Sequence, residues 1–183
     1  GHITEADFSS LELRVAGALS NDTQIITDVQ DGKDVHSQTA SIINQIPQKE
    51  VSKDLRQAAK AFTFAPLYGG MGAGEPEHVQ NYFKQFFVIY SDLKNYQRQL
   101  MDGVMENGIV QTPSGRQYFW PNPKRYGNGR ISNSTQVVNY PVQGFGNDLV
   151  QMACVRAHRR FQELGLKSLL ILTVHDSIVC DTH

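Results

Sequence analysis

Cysteine is scarce: Cys154 and Cys180 are the only two among 183 residues. They form no CxxC or Cys/His spacing, which argues against a disulfide framework and against a thiolate zinc site. Reduced, buried thiols are expected. Long apolar runs are missing too; none approaches the roughly 20 residues of a membrane span, and the N-terminus lacks the basic-then-apolar layout of a signal peptide. A soluble, cytoplasmic protein with no membrane association is the expectation. Neither sign of charge dominates, with 17 Lys and Arg against 18 Asp and Glu, so composition names no polyanion partner. Walker loops, GxSxG elbows and HExxH helices are absent, which leaves the common classes they mark without support. Internal repeats and low-complexity linkers are absent as well.

What is present is 40% hydrophobic content in a chain long enough for one sizeable core, or for one domain and part of another. Charge is unevenly spread. Residues 1–50 hold eight acidic side chains against three basic ones, and the remainder holds the basic excess. An acidic part beside a basic part suits a site that takes cations and phosphates together. The chain opens on Gly1 rather than Met and stops at His183 after a strongly β run, which reads as a fragment of a longer polypeptide.

Periodicity predicts a strand over 2–9 and a helix over 11–20, with Leu11, Val15, Ala18 and Leu19 on one stripe. Asp34 is the expected N-cap of a helix that ends before Pro47. Further helices are expected over 51–68, stopping at Gly69 and Gly70, and over 76–106, stopping at Asn107 and Gly108. A hairpin should turn at Pro113 to Gly115, followed by a basic loop over 122–130. A helical stretch over 132–164, interrupted at Pro141 and Gly144, precedes a closing hairpin that turns at Asp176 and Ser177.

Arg56, Lys60, Phe64 and Tyr68 recur every fourth residue, so all four project from one helix face. Spacing alone favours an ordinary amphipathic helix, its cations solvated and its rings in the core. The chemical alternative is a face where two cations neutralise a triphosphate while two rings pack against sugar and base. Pro66 cannot donate to the Phe62 carbonyl and should kink the helix near its end. Asp7 leaves the first strand and Asp176 follows the last buried β run. If those strands are neighbours, the two carboxylates can share divalent cations; without metal they would repel each other.

In this order, the segments resemble the polymerase domain of family A DNA polymerases. "DFSSLELR" resembles that family's motif A, "RQAAKAFTFAPLYGG" its motif B and "VHDSIV" its motif C, while "GKDVHSQTA" and "NYPVQGFGNDL" match two more segments. The resemblance favours the chemical alternative for the Arg56 to Tyr68 ladder. It implies an α+β right-hand fold: a palm with an antiparallel sheet from 1–20 and 131–183, mostly helical fingers over 21–130, and a thumb that would lie before Gly1. The implied activity is template-directed DNA synthesis, by in-line attack of a primer 3′-oxygen on the α-phosphate of a dNTP with two Mg²⁺ ions; Mn²⁺ could replace them. An RNA polymerase or reverse transcriptase on a similar palm, and a non-catalytic DNA-binding relative, are the alternatives.

Residue by residue, the resemblance implies that Asp7, Asp176 and the Phe8 carbonyl bind metal. His36, Arg56 and Lys60 would contact the triphosphate, with Lys60 also donating a proton to pyrophosphate. Glu12 would lie under the sugar and exclude a 2′-hydroxyl; Ser9, Ser10, Leu11 and Phe64 would complete the nucleotide site, and Tyr68 would stack near the template base. Asn139, Gln143, His175 and Arg116 would touch DNA. Primer-template DNA and dNTPs are the implied partners of a monomeric enzyme. Three departures stand out. Ser177 stands where many members have glutamate, Ser10 where glutamine is usual, and Thr135 where arginine is common. Pro66 is unlike the better-known bacterial enzymes and suggests a phage-like lineage.

Overall fold

The three-stranded sheet is drawn from the two ends of the chain, and the middle is helical but for one short hairpin. The structure is a computed structural model describing residues 1–127 and 129–183. Its elements are β1 (His2–Asp7), α1 (Leu11–Ser20), α2 (Thr23–Gln30), α3 (Val35–Asn44), α4 (Lys53–Phe64), α5 (Glu77–Ile89) and α6 (Ser91–Asn107), then β2 (Ile109–Gln111), β3 (Gln117–Phe119), α7 (Ser134–Glu163), β4 (Leu169–Val174) and β5 (Ser177–Thr182). Short 3-10 turns cover Gln48–Glu50 and Ala65–Tyr68. Within the expected basic loop, Asn128 lies outside the described residues.

The sheet is antiparallel in the order β1-β5-β4, so the first strand pairs with the last, and α7 packs across β4 and β5. Its register sets His2 opposite Thr182 and Asp7 opposite Ser177. A bulge at Leu170/Leu172 interrupts the β4–β5 ladder. The expected second hairpin forms from β2 and β3, and its turn closes with Gly115 N–H donating to the Thr112 carbonyl at 2.9 Å. Gly115 has φ +87°, a left-handed conformation that a residue without Cβ adopts freely.

The main core gathers Leu13, Val15, Ala16 and Ile25 with the aromatic face of α5, Tyr82, Phe83, Phe86 and Phe87, and with Tyr90 and Leu93. Burying each such side chain contributes roughly 1.5–3 kcal/mol. A second cluster joins Val104, Val110, Trp120, Ile131 and Val137 between α6, the β2–β3 hairpin and α7. Cys154 and Cys180 are free and half-buried against the main core. Among the described residues, no helix is long and apolar enough to cross a membrane.

Three expectations needed correction. The helix expected over 76–106 is two helices, because the chain breaks at Tyr90, with φ −102° and ψ 63°. The Tyr90 ring packs edge-on against Phe86, and its hydroxyl donates to Asp28 at 2.8 Å; the following Leu93 N–H is capped from outside by Asp22 at 3.0 Å. The stretch expected to break at Pro141 and Gly144 is instead one helix of 30 residues. Gly144 is not a stop: a Cβ there would lie 1.7 Å from the Tyr118 hydroxyl, so the glycine makes room for the hairpin. Finally, the closing turn is His175–Asp176, with Ser177 already in β5. Helix α2 carried no expectation, since its Thr, Ile and Val content is poor in helix propensity; Asp22 nucleates it by accepting from Gln24 and Ile25 N–H at 3.1 and 3.0 Å.

Asp22 therefore caps one helix and ties it to another from a buried position. Asp22→Ala should lower the unfolding free energy by about 2–4 kcal/mol, measured by chemical denaturation, through a lost cap and an orphaned buried N–H. Asp28 gives a pH-dependent expectation. Burial opposes its ionisation, but hydrogen bonds from Lys33, Tyr90 and Gln24 outweigh that and hold its carboxyl below the ordinary range. Its contribution is complete above the unfolded-state value near ~4 and is lost as pH falls through the lower folded value. Denaturation between about pH 2 and 6 should thus show a shallower acid loss of stability in Asp28→Asn than in the unmodified protein.

Candidate active site

Two elements far apart in sequence meet at the end of the sheet. Asp7 is the last residue of β1, and the next residue, Phe8, donates its N–H to the Asp176 carbonyl at 3.1 Å. Asp176 follows His175 in the two-residue turn between β4 and β5, where His175 has φ +52°. Ser10, which precedes α1, also has φ +52°. Non-glycine residues in this region carry backbone strain, and such strain concentrates at functional sites.

Both aspartates line one cavity of about 700 Å³ together with Phe8, Ser9, Ser10, Leu11 and Glu12. His36 of α3, Arg56, Lys60 and Phe64 of α4, Gln143 of α7 and His175 complete the predicted set within it. Carboxylates from the sheet end and α1 thus face the His36 imidazole of α3 and the cations Arg56 and Lys60 of α4 across one space. Tyr68 does not line the cavity, but its hydroxyl donates to the Glu12 carboxylate at its rim. Asn139 and Arg116 also lie outside the lining. Among the described residues, the buried Asn139 side-chain oxygen has no partner. Arg116 is held by Asp148, with Nη2 to Oδ1 at 2.5 Å, and Ser114 adds a bond to the same carboxylate at 2.6 Å.

The ladder on α4 is held from behind. Thr63 donates to Thr39 at 2.9 Å, and Thr39 shares a hydrogen bond with the Tyr82 hydroxyl at 3.1 Å, so buried hydroxyls lock α4 to α3 and α5. Arg56 Nε donates to Asp34 at 2.7 Å, while Asp34 caps α3 through the Ser37 N–H at 3.1 Å and accepts from the Ser37 hydroxyl at 2.7 Å. Partial burial of Asp34 opposes its charge, but Arg56 and Ser37 outweigh it and hold the carboxyl well below the usual range. Lys60 makes no ion pair among the described residues.

Electrostatics differ between the two walls. Lost solvation, then Asp176, then Glu5 push the Asp7 carboxyl above its ordinary range. Burial, with Arg56 and Lys60, pushes His36 below its ordinary range, favouring the neutral imidazole. Its buried Nδ1 has no partner among the described residues, and its ring meets Phe64 edge-on at 5.2 Å. Burial and the Glu12 carboxylate push the Tyr68 phenol well up, so it stays protonated and donating.

The donor set fits a divalent cation that completes its shell elsewhere. Among the described residues no group of three or more His, Cys, Asp or Glu side chains could hold a metal. Two carboxylates and a backbone carbonyl suit Mg²⁺ when phosphate oxygens and water supply the remainder. Three participants escaped sequence reading. Glu5 lies two residues before Asp7 on β1 and accepts from the Ser177 hydroxyl at 2.5 Å; the same-face period of a strand was the available signal. Asp34 had been read as a cap alone. Asn147 lines the cavity from α7; it lies in the matched segment "NYPVQGFGNDL", which gave it no role.

A family model described as DNA polymerase family A matches residues 1–183, and the chain belongs to that family. It is 31% identical over 183 residues to DNA polymerase I of Chloroflexus aurantiacus, a match that covers 96% of this chain and 19% of that protein. It is 33% identical over 183 residues to the thermostable DNA polymerase I of Thermus thermophilus, covering 96% of this chain and 22% of that one. Its fold matches the polymerase domain of Pol1 from M. smegmatis, solved in complex with DNA primer-template and dNTP, with TM-score 0.85 and 26% identity; 100% of this chain and 34% of that one are covered. The chain thus spans about a fifth of the length of these curated relatives.

Proposed function

We propose that the chain is the nucleotide-selecting and catalytic part of a template-directed DNA polymerase, its palm formed by residues 1–20 and 131–183 and its fingers by 21–130. The observation that carries the reading is the single cavity in which Asp7 and Asp176 face Arg56, Lys60 and His36. In the reaction, a bond forms between the primer 3′-oxygen and the α-phosphorus of a dNTP, and the bond to the β-phosphate oxygen breaks, releasing pyrophosphate. Divalent cations held by Asp7, Asp176 and the Phe8 carbonyl, Mg²⁺ by preference for hard oxygen ligands, would supply activation of the 3′-hydroxyl and neutralise the leaving charge.

The chain's own residues do the rest. Arg56 bonds Asp34 through Nε, which leaves its terminal nitrogens for phosphate oxygens. Lys60 adds a second cation one helical turn on, in reach to protonate the pyrophosphate as it leaves. Neutral His36 offers an N–H without adding charge. Glu12, tied to Tyr68, lies where a ribose 2′-hydroxyl would have to fit, and a restrained carboxylate rejects it sterically. Phe64 and Tyr68 face sugar and base, while Gln143 and Asn139 face the minor groove, where acceptors common to all base pairs lie.

Primer extension by the full-length protein carrying this chain tests the reading. Asp7→Asn and Asp176→Asn should each cut single-nucleotide incorporation by about 10³-fold or more with the circular dichroism spectrum unchanged. Undiminished extension by either variant sinks the proposal. Arg56→Ala should raise the KM for dNTP about 10–100-fold, read from steady-state kinetics, through loss of charge-assisted bonds.

A further inference from the structure

Pro66 leaves backbone groups at the end of α4 that the helix itself cannot serve. It has no N–H to give the Phe62 carbonyl, and the chain tightens into the turn Ala65–Tyr68. Within the turn, Gly69 N–H donates to the Pro66 carbonyl at 3.0 Å and Gly70 N–H to the Ala65 carbonyl at 2.8 Å. A further donor arrives from α6. Gln97 Nε2 lies 2.8 Å from the Pro66 carbonyl oxygen and 3.2 Å from that of Leu67. Gln97 is 6% exposed and Leu67 0%. The Pro66 carbonyl thus has the Gly69 N–H as well as the amide, and Gln97 is the side-chain donor that reaches the Leu67 carbonyl.

The turn ends at Tyr68, whose hydroxyl donates to Glu12. At its other end α6 is fixed, through Leu93 N–H on Asp22 and the Tyr90 hydroxyl on Asp28. A continuous path thus runs from α2 through α6 to Gln97, the turn, Tyr68 and Glu12. Gln97 itself does not line the nucleotide cavity.

We propose that Gln97 is a positioning residue for sugar selection: by holding the Pro66 and Leu67 carbonyls it sets the place of Tyr68, and through Tyr68 the place of the Glu12 carboxylate. The proposal rests on the reading of Glu12 as the contact beneath the deoxyribose. A carboxylate rejects a 2′-hydroxyl only while it cannot retreat. A turn free to shift would let Tyr68 and Glu12 yield together, and the penalty on a ribonucleotide would fall before deoxynucleotide addition suffered.

Single-nucleotide extension by the full-length protein, with a dNTP and its matching rNTP, measures the ratio of their kcat/KM values. Gln97→Met keeps the volume and removes the donor. It should cut the dNTP/rNTP ratio about tenfold while dNTP incorporation stays within about threefold. Tyr68→Phe should cut the ratio similarly, and the double variant no further than the larger single, because both break one path. An unchanged ratio in Gln97→Met overturns the proposal, even with a lowered melting temperature, since that is a purely structural amide. Losses that multiply in the double variant overturn it too. Should Gln97→Met not fold, Gln97→Asn keeps the amide on a stem too short for both carbonyls and carries the same expectations. Glu12→Ala separates the premises. If it leaves the ratio unchanged, the sugar-contact reading itself fails; if it collapses the ratio while Gln97→Met does not, only the role of Gln97 falls.

Discussion

The pairing of β1 with β5 is the constraint on which the site depends. It joins residues at opposite ends of the chain, in a register that sets Asp7 opposite Ser177 and the Phe8 N–H on the Asp176 carbonyl. Two carboxylates brought together this way repel, and that repulsion adds to lost solvation in raising the Asp7 carboxyl. The ladder of backbone hydrogen bonds holds them regardless. The strained backbone at His175 and Ser10 lies beside the same spot.

Opposite that sheet end, the cationic wall is built on a different plan. Its groups are spaced by a helix that is anchored from behind by neutral hydroxyls, Thr39, Thr63 and Tyr82. Asp34 serves two purposes at once, starting α3 and fixing Arg56 by charge. Such sharing is economical because a cap must sit at a helix start, and the start of α3 faces α4. The wall therefore holds its aim without a dense network of salt bridges, most of which are surface pairs of small individual weight.

Much of this was legible beforehand where a single local rule suffices. The β2–β3 turn follows from Pro113 to Gly115, the start of α3 from Asp34, and the tightening of α4 from Pro66. Where expectations failed, two rules competed. Pro141 and Gly144 argued for a break, but Tyr118 needed the space at Gly144 and packing on several sides kept α7 continuous. The run over 76–106 lacked any strong breaker, yet Tyr90 was pulled out of helix by Phe86 and Asp28. Helix α2 is poor in formers and exists because Asp22 caps it and then reaches α6.

The sequence by itself determined the types of group available and their local spacing: the four-residue ladder on α4, the aspartates at strand ends, and the glutamate in the first turn of α1. Periodicity and capping are properties of neighbouring residues, so they can be read along the chain. Only the tertiary structure decided which of these groups meet. Ser177 bonding Glu5, Gln97 serving the carbonyls beyond Pro66, and Tyr68 reaching Glu12 join residues 172, 31, 30 and 56 positions apart. Side chains that distant find each other through packing of whole elements, and no rule confined to neighbours along the chain specifies that packing.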